Sequence, residues 1–304
     1  MPGYVLAIDQ GTTGTTVALM DHRGRIVGSV NNEFPQVYPQ PGWVEHRPDD
    51  IWNSLCKGLR SLLRKRLCAV GDIAAIGITN QRETALLWDR ETGEAFNNAV
   101  VWQCRRTTAF CEDLKNAGHE PEVQARAGLL LDPYFSASKF RWLLANSGNL
   151  GRRLKRGAVA AGTVDCYLLW RLTAGEVHAT DISNASRTSL MNLETGAWDP
   201  ALLDLFDVPA AVLPSIAPSS AILGHTRGVP GLPDGIPIAG VAGDQHAALF
   251  GQACFNAGDA KCTFGTGSFI LMNTGRRPLK SSARLLTTVA WQLGVKARPV
   301  YALE

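Results

Sequence analysis

The sequence has 304 residues, enough for one large or two ordinary domains, and 45% of them are hydrophobic, which is ample for a core. A formal net charge of +3 is too small to predict binding to nucleic acid or to a membrane surface. Asp9 interrupts the first apolar run, which argues against a signal peptide, and no run approaches the length of a membrane span. The seven cysteines are scattered and form no Cys-x-x-Cys pair, which predicts free thiols and a cytoplasmic protein.

The segment from Tyr4 to Asn32 predicts a three-stranded meander, because β-prone apolar runs alternate with a Gly/Thr turn and a polar turn. Asp9 ends the first run, and Thr12, Thr13 and Gly14 lie in the turn that follows. Glycines let a backbone approach a ligand, and N–H groups with hydroxyls suit a phosphate. A carboxylate beside a phosphate implies Mg²⁺ as its partner. The alternative is a solvated hairpin in which Asp9 caps the turn.

Apolar periodicity predicts alternating helices and strands in the middle of the chain. Helices are expected up to about residue 66 and at 104–117, 122–127, 137–145, 164–172 and 201–206. Strands are expected at 73–79, 85–89, 100–102 and 157–162. Asp49 or Asp50 is predicted to be the N-cap of the first helix. Residues 180–187 are polar and are predicted to form a loop.

A second hairpin of the same physical type is predicted near the end of the chain. Strand-like runs at 260–264 and 269–273 flank a Gly/Thr/Ser turn at 265–268. Before it, the apolar run 236–242 leads to Asp244 at the start of an Ala-rich helix. Taken alone, Asp244 is interpreted as the N-cap of that helix. Two facing hairpins of this kind would hold a phosphate chain from both sides.

Short motifs spread over essentially the whole chain resemble those of one enzyme family. In chain order they are IDQGTTGTT, PGWVEH, ITNQRET, VWQCRR, DPYFSASK, GTVD, SNASRT, AGDQHAALFGQ and TFGTGSF. Motifs of this length and order resemble the glycerol kinases, a group within the FGGY carbohydrate kinases. The resemblance implies an α/β protein with the actin-like (ribonuclease H-like) ATPase fold. It also implies a cleft between two domains that holds ATP and Mg²⁺.

The activity implied by this resemblance is the ATP-dependent phosphorylation of glycerol to sn-glycerol 3-phosphate. Glycerol and ATP are then the expected partners, with a homo-oligomer allowed and with neither nucleic acid nor membrane involved. Two alternatives remain: a polyol-binding fragment without catalysis, and a kinase of the same family that acts on another sugar or polyol.

The resemblance also assigns roles to single residues. Asp244 matches the catalytic base, which accepts the proton of the attacking hydroxyl. The residues expected to contact the substrate are Arg82, Glu83, Trp102, Tyr134, Asp244, Gln245 and Phe269. Those expected to bind the nucleotide are Asp9, Thr12, Thr13, Gly14 and Thr266, with Asp9 and Asp244 as metal ligands. Without the resemblance, Arg82 and Glu83 would equally suit a surface ion pair.

Two departures from the family pattern change what is expected. The first hairpin lacks the arginine that the family usually carries shortly after Gly14, which removes a cation from the phosphate site. The chain also ends in a strand-like run, whereas the family's second domain continues. We therefore expect a complete first domain at 1–252 and only the opening strands of a second at 253–304. The glycerol site and half of the nucleotide site are expected, and full catalytic competence is not.

Overall fold

The computed structural model describes residues 3–148, 150–265 and 267–304. The strands within these ranges are β1 (Tyr4–Gln10), β2 (Gly14–Met20), β3 (Ile26–Glu33), β4 (Glu45–His46), β5 (Ile73–Asn80), β6 (Ala85–Asp89), β7 (Ala99–Val100), β8 (Val159–Thr163), β9 (Ala179–Asp181), β10 (Met191–Asn192), β11 (Ala197–Trp198), β12 (Ser215–Ala217), β13 (Ser220–His225), β14 (Pro237–Gly243), β15 (Ala260–Phe264), β16 (Ser268–Gly275), β17 (Thr287–Trp291) and β18 (Val300–Leu303).

Helices occupy much of the sequence between these strands. They are α1 (Pro48–Leu63), α2 (Thr108–Asn116), α3 (Glu120–Ala127), α4 (Ser136–Asn146), α5 (Gly151–Lys155), α6 (Val164–Leu172), α7 (Ile182–Ala185), α8 (Pro200–Leu205) and α9 (Asp244–Gly251), with 3₁₀ turns at Val70–Asp72 and Ala210–Val212. Among the described residues, no helix combines the length and the apolar character needed to cross a bilayer.

The largest sheet has six strands in the order β13-β14-β5-β1-β2-β3. Strands β1, β2 and β3 form the antiparallel meander predicted from the sequence. Strand β5 pairs in parallel with both β1 and β14. In this register Thr79 of β5 pairs with Asp9 of β1 on one side and with Ala242 of β14 on the other. The carboxyl ends of three strands from distant parts of the chain therefore lie side by side.

The main core fills one face of this sheet. Alternate residues of β1, Leu6 and Ile8, are fully buried, as the period of two in a strand requires. They belong to one cluster with Ile51 and Leu55 of α1 and Leu168 of α6. The i, i+4 spacing along α1 keeps its apolar residues on one helix face. Packing of these helices fixes the strands whose ends carry the polar groups described below.

Besides the large sheet, the described residues form four smaller sheets. Four strands pair in the order β4-β7-β6-β8 and four in the order β15-β16-β18-β17, besides the two-stranded pairs β10-β11 and β9-β12. The second of the four-stranded sheets contains the β15-β16 hairpin, whose existence was predicted from its Gly/Thr/Ser turn. Predicted helices at 122–127, 137–145, 164–172 and 201–206 are confirmed to within two residues at each end.

The predicted N-cap of the first helix is wrong. Helix α1 begins at Pro48, and its N-cap is Arg47, which makes no side-chain capping bond. Proline favours the first helical position because its fixed φ suits the helix and its missing N–H is not needed there. Asp49 and Asp50 instead lie in the first turn, where their negative charge interacts favourably with the helix dipole.

The predicted loop at 180–187 is also wrong. This segment contains the end of β9 and helix α7, and its side chains are buried. Asp181 caps α7 by accepting hydrogen bonds from the backbone N–H groups of Ser183 and Asn184, both at 2.9 Å. The polar composition suggested exposure, but these groups satisfy one another, which permits burial of a polar segment.

The buried position of Ile8 predicts a large effect on stability. We expect Ile8→Ala to lower the free energy of unfolding by about 2–5 kcal/mol, since it removes packed methyl groups from the centre of the sheet. Urea unfolding followed by circular dichroism measures the change. Ile26→Ala is the matched control, because Ile26 is 64% exposed, and it should change stability by no more than about 0.5 kcal/mol. Equal losses in the two variants would contradict the assignment of the core.

Candidate active site

A single cavity of about 340 Å³ contains nearly all of the residues singled out in the sequence. It is lined by Asp9, Gly11, Thr12, Thr13, Arg82, Glu83, Trp102, Tyr134, Asp244, Gln245, Ala248, Thr263, Gly265, Gly267 and Phe269. Thr266 lies outside the described residues. Gly14 is described but does not line the cavity.

The arrangement follows from the three adjacent strand ends of the large sheet. Asp9 is the penultimate residue of β1, Arg82 and Glu83 follow β5 by two and three residues, and Asp244 follows directly after β14. Ligand sites in α/β sheets are typically found at the carboxyl ends of the strands. Parallel pairing thus brings together carboxylates and a guanidinium that are far apart in sequence.

The first hairpin is held in place by side chains from three other segments. The indole Nε1 of Trp102 donates to Oγ1 of Thr12 at 2.9 Å, and Gln36 donates to the carbonyl of Thr12 at 2.6 Å. The amide of Gln81 donates to the carbonyl of Gly11 at 3.2 Å. These bonds hold the turn, and Gly11, Thr12 and Thr13 of the turn line the cavity.

Gly14 stabilises this turn and does not line the cavity. Its carbonyl accepts from the N–H of Gly11 at 2.9 Å, which closes the turn. A Cβ at Gly14 would lie 2.8 Å from the carbonyl oxygen of Asn32 on β3. Glycine is therefore required for the close pairing of β2 with β3.

The β15-β16 hairpin forms another part of the cavity wall. Thr263, Gly265 and Gly267 line it. A Cβ at Gly267 would meet the ring of Phe269 at 2.7 Å. The two hairpins, alike in composition, thus border the same cavity.

Two carboxylates, Asp9 and Asp244, border the cavity near each other. Burial within the cleft, and secondarily the charge of Asp244, raise the pKa of Asp9 to about 6, although its side chain remains open to the cavity. Two neighbouring carboxylates without a cation between them repel each other. This donor set, close to hydroxyls and glycine N–H groups, fits Mg²⁺ in the company of phosphate oxygens.

Arg82 is almost completely buried and is surrounded by acceptors. Its Nη1 and Nη2 donate to the two carboxylate oxygens of Glu304, both at 2.7 Å, and Nη2 also donates to the hydroxyl of Tyr134 at 3.1 Å. Its Nε lies 3.3 Å from Oδ1 of Asp244. The guanidinium plane is fixed by these contacts, and Nε is the nitrogen directed toward the Asp244 side of the cavity.

Glu83 adopts a strained backbone conformation at the site. Its φ is +61°, in the left-handed region that is uncommon for residues other than glycine. Burial raises the pKa of its carboxyl, and the charges of Arg82 and Arg187 oppose that rise. The Nε of Arg187 donates to Oε1 of Glu83 at 2.7 Å, and Oγ of Ser136 donates to its carbonyl at 3.2 Å. The surrounding contacts therefore enforce a conformation that the residue alone would disfavour.

Three aromatic rings form an apolar wall. Trp102 makes edge contacts with Tyr134 and with Phe269, at ring-centre separations of 5.8 and 6.0 Å. The buried ammonium of Lys139 donates to the carbonyls of Tyr134 and Phe135, which anchors the loop before α4. Burial raises the pKa of Tyr134, so its hydroxyl stays protonated and can donate as well as accept.

Asp244 is the first residue of α9 and does not cap it. The N-cap is Gly243, so the interpretation of Asp244 as a cap is wrong. The N–H of Gly243 donates to Oγ of Ser183 at 3.0 Å, which fixes the backbone just before the carboxylate. The side chain of Asp244 is 35% exposed and faces the cavity. Next to it, Gln245 accepts a hydrogen bond from the ammonium of Lys261 on β15.

Sequence reasoning missed three charged residues around the cavity. Arg187, Lys261 and Glu304 each bond to a residue that the sequence did assign to the site. Arg187 lies in the SNASRT motif, at the end of the segment that was predicted to be a loop, and sequence reasoning assigned it no role in the site. Lys261 and Glu304 stand in strand-like runs, and nothing in a single sequence pairs them with partners 16 and 222 positions away.

Comparisons with known proteins agree with this geometry. The model of the FGGY family of carbohydrate kinases, N-terminal domain, matches residues 4–251. A glycerol kinase of Bdellovibrio bacteriovorus is 53% identical over 304 residues, 100% of this chain and 61% of the relative. One from Alkalilimnicola ehrlichii is 54% identical over 300 residues, 99% of this chain and 60% of the relative. The chain thus spans about 60% of the length of the curated relatives it matches.

Solved structures of two kinases also match this chain. The glycerol kinase of Plasmodium falciparum with ADP superimposes with a TM-score of 0.93 at 36% identity, covering 99% of this chain and 60% of that one. A gluconate kinase from Lactobacillus acidophilus, 21% identical, matches with a TM-score of 0.86 over 99% of this chain and 59% of its own, a likeness of fold. The predicted actin-like ATPase fold is therefore confirmed. From its motifs, its fold and the match over residues 4–251, the chain belongs to the FGGY family of carbohydrate kinases.

Proposed function

We propose that this cavity binds glycerol together with ATP, and that the whole protein phosphorylates glycerol to sn-glycerol 3-phosphate. The observation that carries the proposal is the placement of Asp244 on one cavity with Arg82, at 3.3 Å, and with the Gly/Thr hairpin that holds Thr12. A proton acceptor, a polyol-reading group and a phosphate-binding turn are the parts that phosphoryl transfer requires. The glycerol kinase names of the similar proteins support the same choice of substrate.

The acceptor side suits a small polyol. Glu83 offers carboxylate oxygens to hydroxyl groups, Arg82 offers N–H groups, and the amide of Gln245 can both donate and accept. Trp102 and Phe269 provide flat apolar surface for the carbon chain. Hydrogen-bonding groups and aromatic rings in one cavity suit the hydroxyls and the carbon chain of a short triol.

Asp244 is the base in the proposed reaction. Its carboxylate accepts the proton of a terminal hydroxyl as that oxygen forms a bond to the γ-phosphorus, while the bond to the bridging oxygen of ADP breaks. Arg82, fixed by its other contacts, holds the carboxylate of Asp244 in its orientation. Binding of both substrates in one cavity positions the attacking oxygen for transfer.

The donor side is assigned to Thr12 and Thr13 on the first hairpin and, by resemblance, to Thr266 on the second. Mg²⁺, when bound, would neutralise charge on the phosphates. Asp9 and Asp244 are the residues that would hold it, since both face the cavity and carry the charge it needs. ATP as donor is supported by the relative whose structure is described with ADP.

We also propose the domain boundaries and the cellular compartment of the protein. We retain 1–252 and 253–304 as the two domains, which the match of the family's N-terminal domain to residues 4–251 supports. A cytoplasmic setting is supported by the seven cysteines, all of them free thiols.

A second candidate is polyol binding without turnover. It is favoured by the acceptor side of the cavity, where bonds within the protein already hold Arg82, Glu83 and Trp102. It predicts that glycerol binds without the release of ADP.

Glycerol titration, followed by an assay of ADP release, tests both candidate functions. We expect isothermal titration to detect glycerol binding, because the acceptor groups are already held by bonds within the protein. A coupled assay of ADP release with ATP and Mg²⁺ then tests transfer. Binding with turnover supports the kinase, binding without turnover supports the second candidate, and absence of binding contradicts both. Tighter binding of a longer polyol or a ketose would instead favour that compound as the substrate of a kinase of the same family.

Replacement of Asp244 tests the base. We expect Asp244→Asn to lower kcat by about 10²–10⁴-fold, because the amide cannot accept the hydroxyl proton. Glycerol affinity should change by no more than about tenfold, the value of one hydrogen bond. Asp204→Asn, on an exposed position of α8, is the matched control and should leave both unchanged. A variant at Asp244 with normal kcat would rule out its role as base.

The raised pKa of Asp9 predicts a pH-dependent change in stability. The folded protein holds a proton on Asp9 up to about pH 6, whereas the unfolded chain releases it near 3.8, so folding is progressively disfavoured as the pH rises through this window. We therefore expect Asp9→Asn to have a higher Tm than the wild type at pH 7.5 without metal. The difference should shrink as the pH falls from 6 toward 4.

The control for this prediction is the metal-nucleotide complex. Mg²⁺ with ADP should raise the Tm of the wild type more than that of Asp9→Asn, since only the wild type keeps the carboxylate. Differential scanning calorimetry over the pH series measures both effects. A pH-independent difference between the two proteins would contradict the assigned pKa, and equal stabilisation by Mg²⁺ and ADP would contradict the metal role.

A further inference from the structure

The charge of Arg82 is matched by a carboxylate outside the set predicted from the sequence. Glu304 bonds to both terminal nitrogens of Arg82 at 2.7 Å, in the two-pronged geometry that suits a guanidinium and a carboxylate. Their side chains are only 1% and 7% exposed, so water screens the pair weakly. Burial by itself raises the pKa of Glu304, but Arg187 and Arg82 outweigh burial and hold the pKa well below its usual range. Glu304 is therefore an anion.

A second pair completes the arrangement. Arg187 bonds to Glu83 at 2.7 Å through Nε, and its Nη1 lies 3.2 Å from Glu304. Two guanidinium groups thus face two carboxyl groups in one buried cluster, which we call the charge-matched cluster: Arg82, Glu83, Arg187 and Glu304. With Glu304 in place, neither guanidinium carries an unmatched positive charge toward the cavity.

The other charged groups near this cluster are mostly acidic. Asp244 lies 3.3 Å from Arg82, and Asp9 faces the same cavity. Lys261 is the nearby cation, and its ammonium is bonded to Gln245 and to Thr263. An acceptor molecule that enters the cavity therefore meets hydrogen-bonding groups and a carboxylate, without an unmatched arginine.

We propose that Glu304 is a specificity-determining residue, which cancels the charge of Arg82 so that the site accepts uncharged polyols and rejects anionic acceptors such as sugar acids. The inference rests on the proposed polyol function of this cavity. An arginine with an ionic partner can still donate hydrogen bonds to a hydroxyl, but it offers little net attraction to a carboxylate. Removal of the Glu304 charge leaves two guanidinium groups against Glu83 in the charge-matched cluster, and should raise the affinity of the site for an anion.

The test compares glycerol with glycerate, which has the same three carbons and a carboxylate at one end. Isothermal titration of both ligands into the wild type should show weaker binding of glycerate. In Glu304→Gln, which keeps the size of the side chain, the ratio of glycerate to glycerol affinity should rise by about tenfold or more, as expected for one uncompensated charge in a cleft. Arg187→Gln removes a cation from the same cluster and should shift the ratio in the opposite direction.

Glu45→Gln is the matched control, because Glu45 pairs with the buried Arg106 at 2.7 Å away from the cavity. It should leave the ratio unchanged, and thermal unfolding checks that each variant is folded. An unchanged ratio in folded Glu304→Gln would overturn the inference. Glycerate binding as tightly as glycerol to the wild type would overturn it as well, even if no variant folds. A wild type that binds neither ligand would instead reject the proposed function.

Discussion

The parallel pairing of β1, β5 and β14 is the constraint on which the site depends. Each strand alone carries only its own polar residues at its carboxyl end, and the shared register brings Asp9, Arg82 and Asp244 to one edge. The core beneath the sheet fixes that register, because a slip by one residue would move Leu6 and Ile8 out of the apolar layer. Packing in the interior and chemistry at the edge are therefore set by the same pairing.

The site buries several charged groups, and each of them needs an ionic or hydrogen-bonding partner within the protein. Taking a guanidinium or a carboxylate out of water costs several kcal/mol, which paired geometry and further hydrogen bonds must offset. Arg82 meets this need through Glu304, Tyr134 and Asp244, and Glu83 through Arg187. The strained backbone of Glu83 is tolerated in the same way, since contacts on both sides hold it. Such sites favour a preformed geometry over one that a ligand must create.

Much of the fold could be predicted because local patterns were clear. The meander, α6 and the second hairpin follow from strict periodicity and from turn residues such as Gly265. The errors arose where tertiary structure overrides composition: Pro48 set a helix start that Asp49 seemed to set, and the polar segment around Asp181 is buried because its groups bond to one another. The site residues were found through motifs, whereas the pairing of Arg82 with Glu304 spans the whole chain and leaves no local signal.

The hydrogen bond from Trp102 to Thr12 links the two halves of the cavity. The indole belongs to the aromatic wall, and the hydroxyl belongs to the Gly/Thr turn. The Thr12 oxygen accepts from the indole N–H with one of its two lone pairs, and the Thr12 hydroxyl can still donate its own hydrogen to a bound oxygen. A molecule packed on Trp102 and an oxygen bound at Thr12 therefore contact two side chains that are bonded to each other. When one ligand orders this pair of side chains, the protein loses less conformational entropy on binding the other ligand.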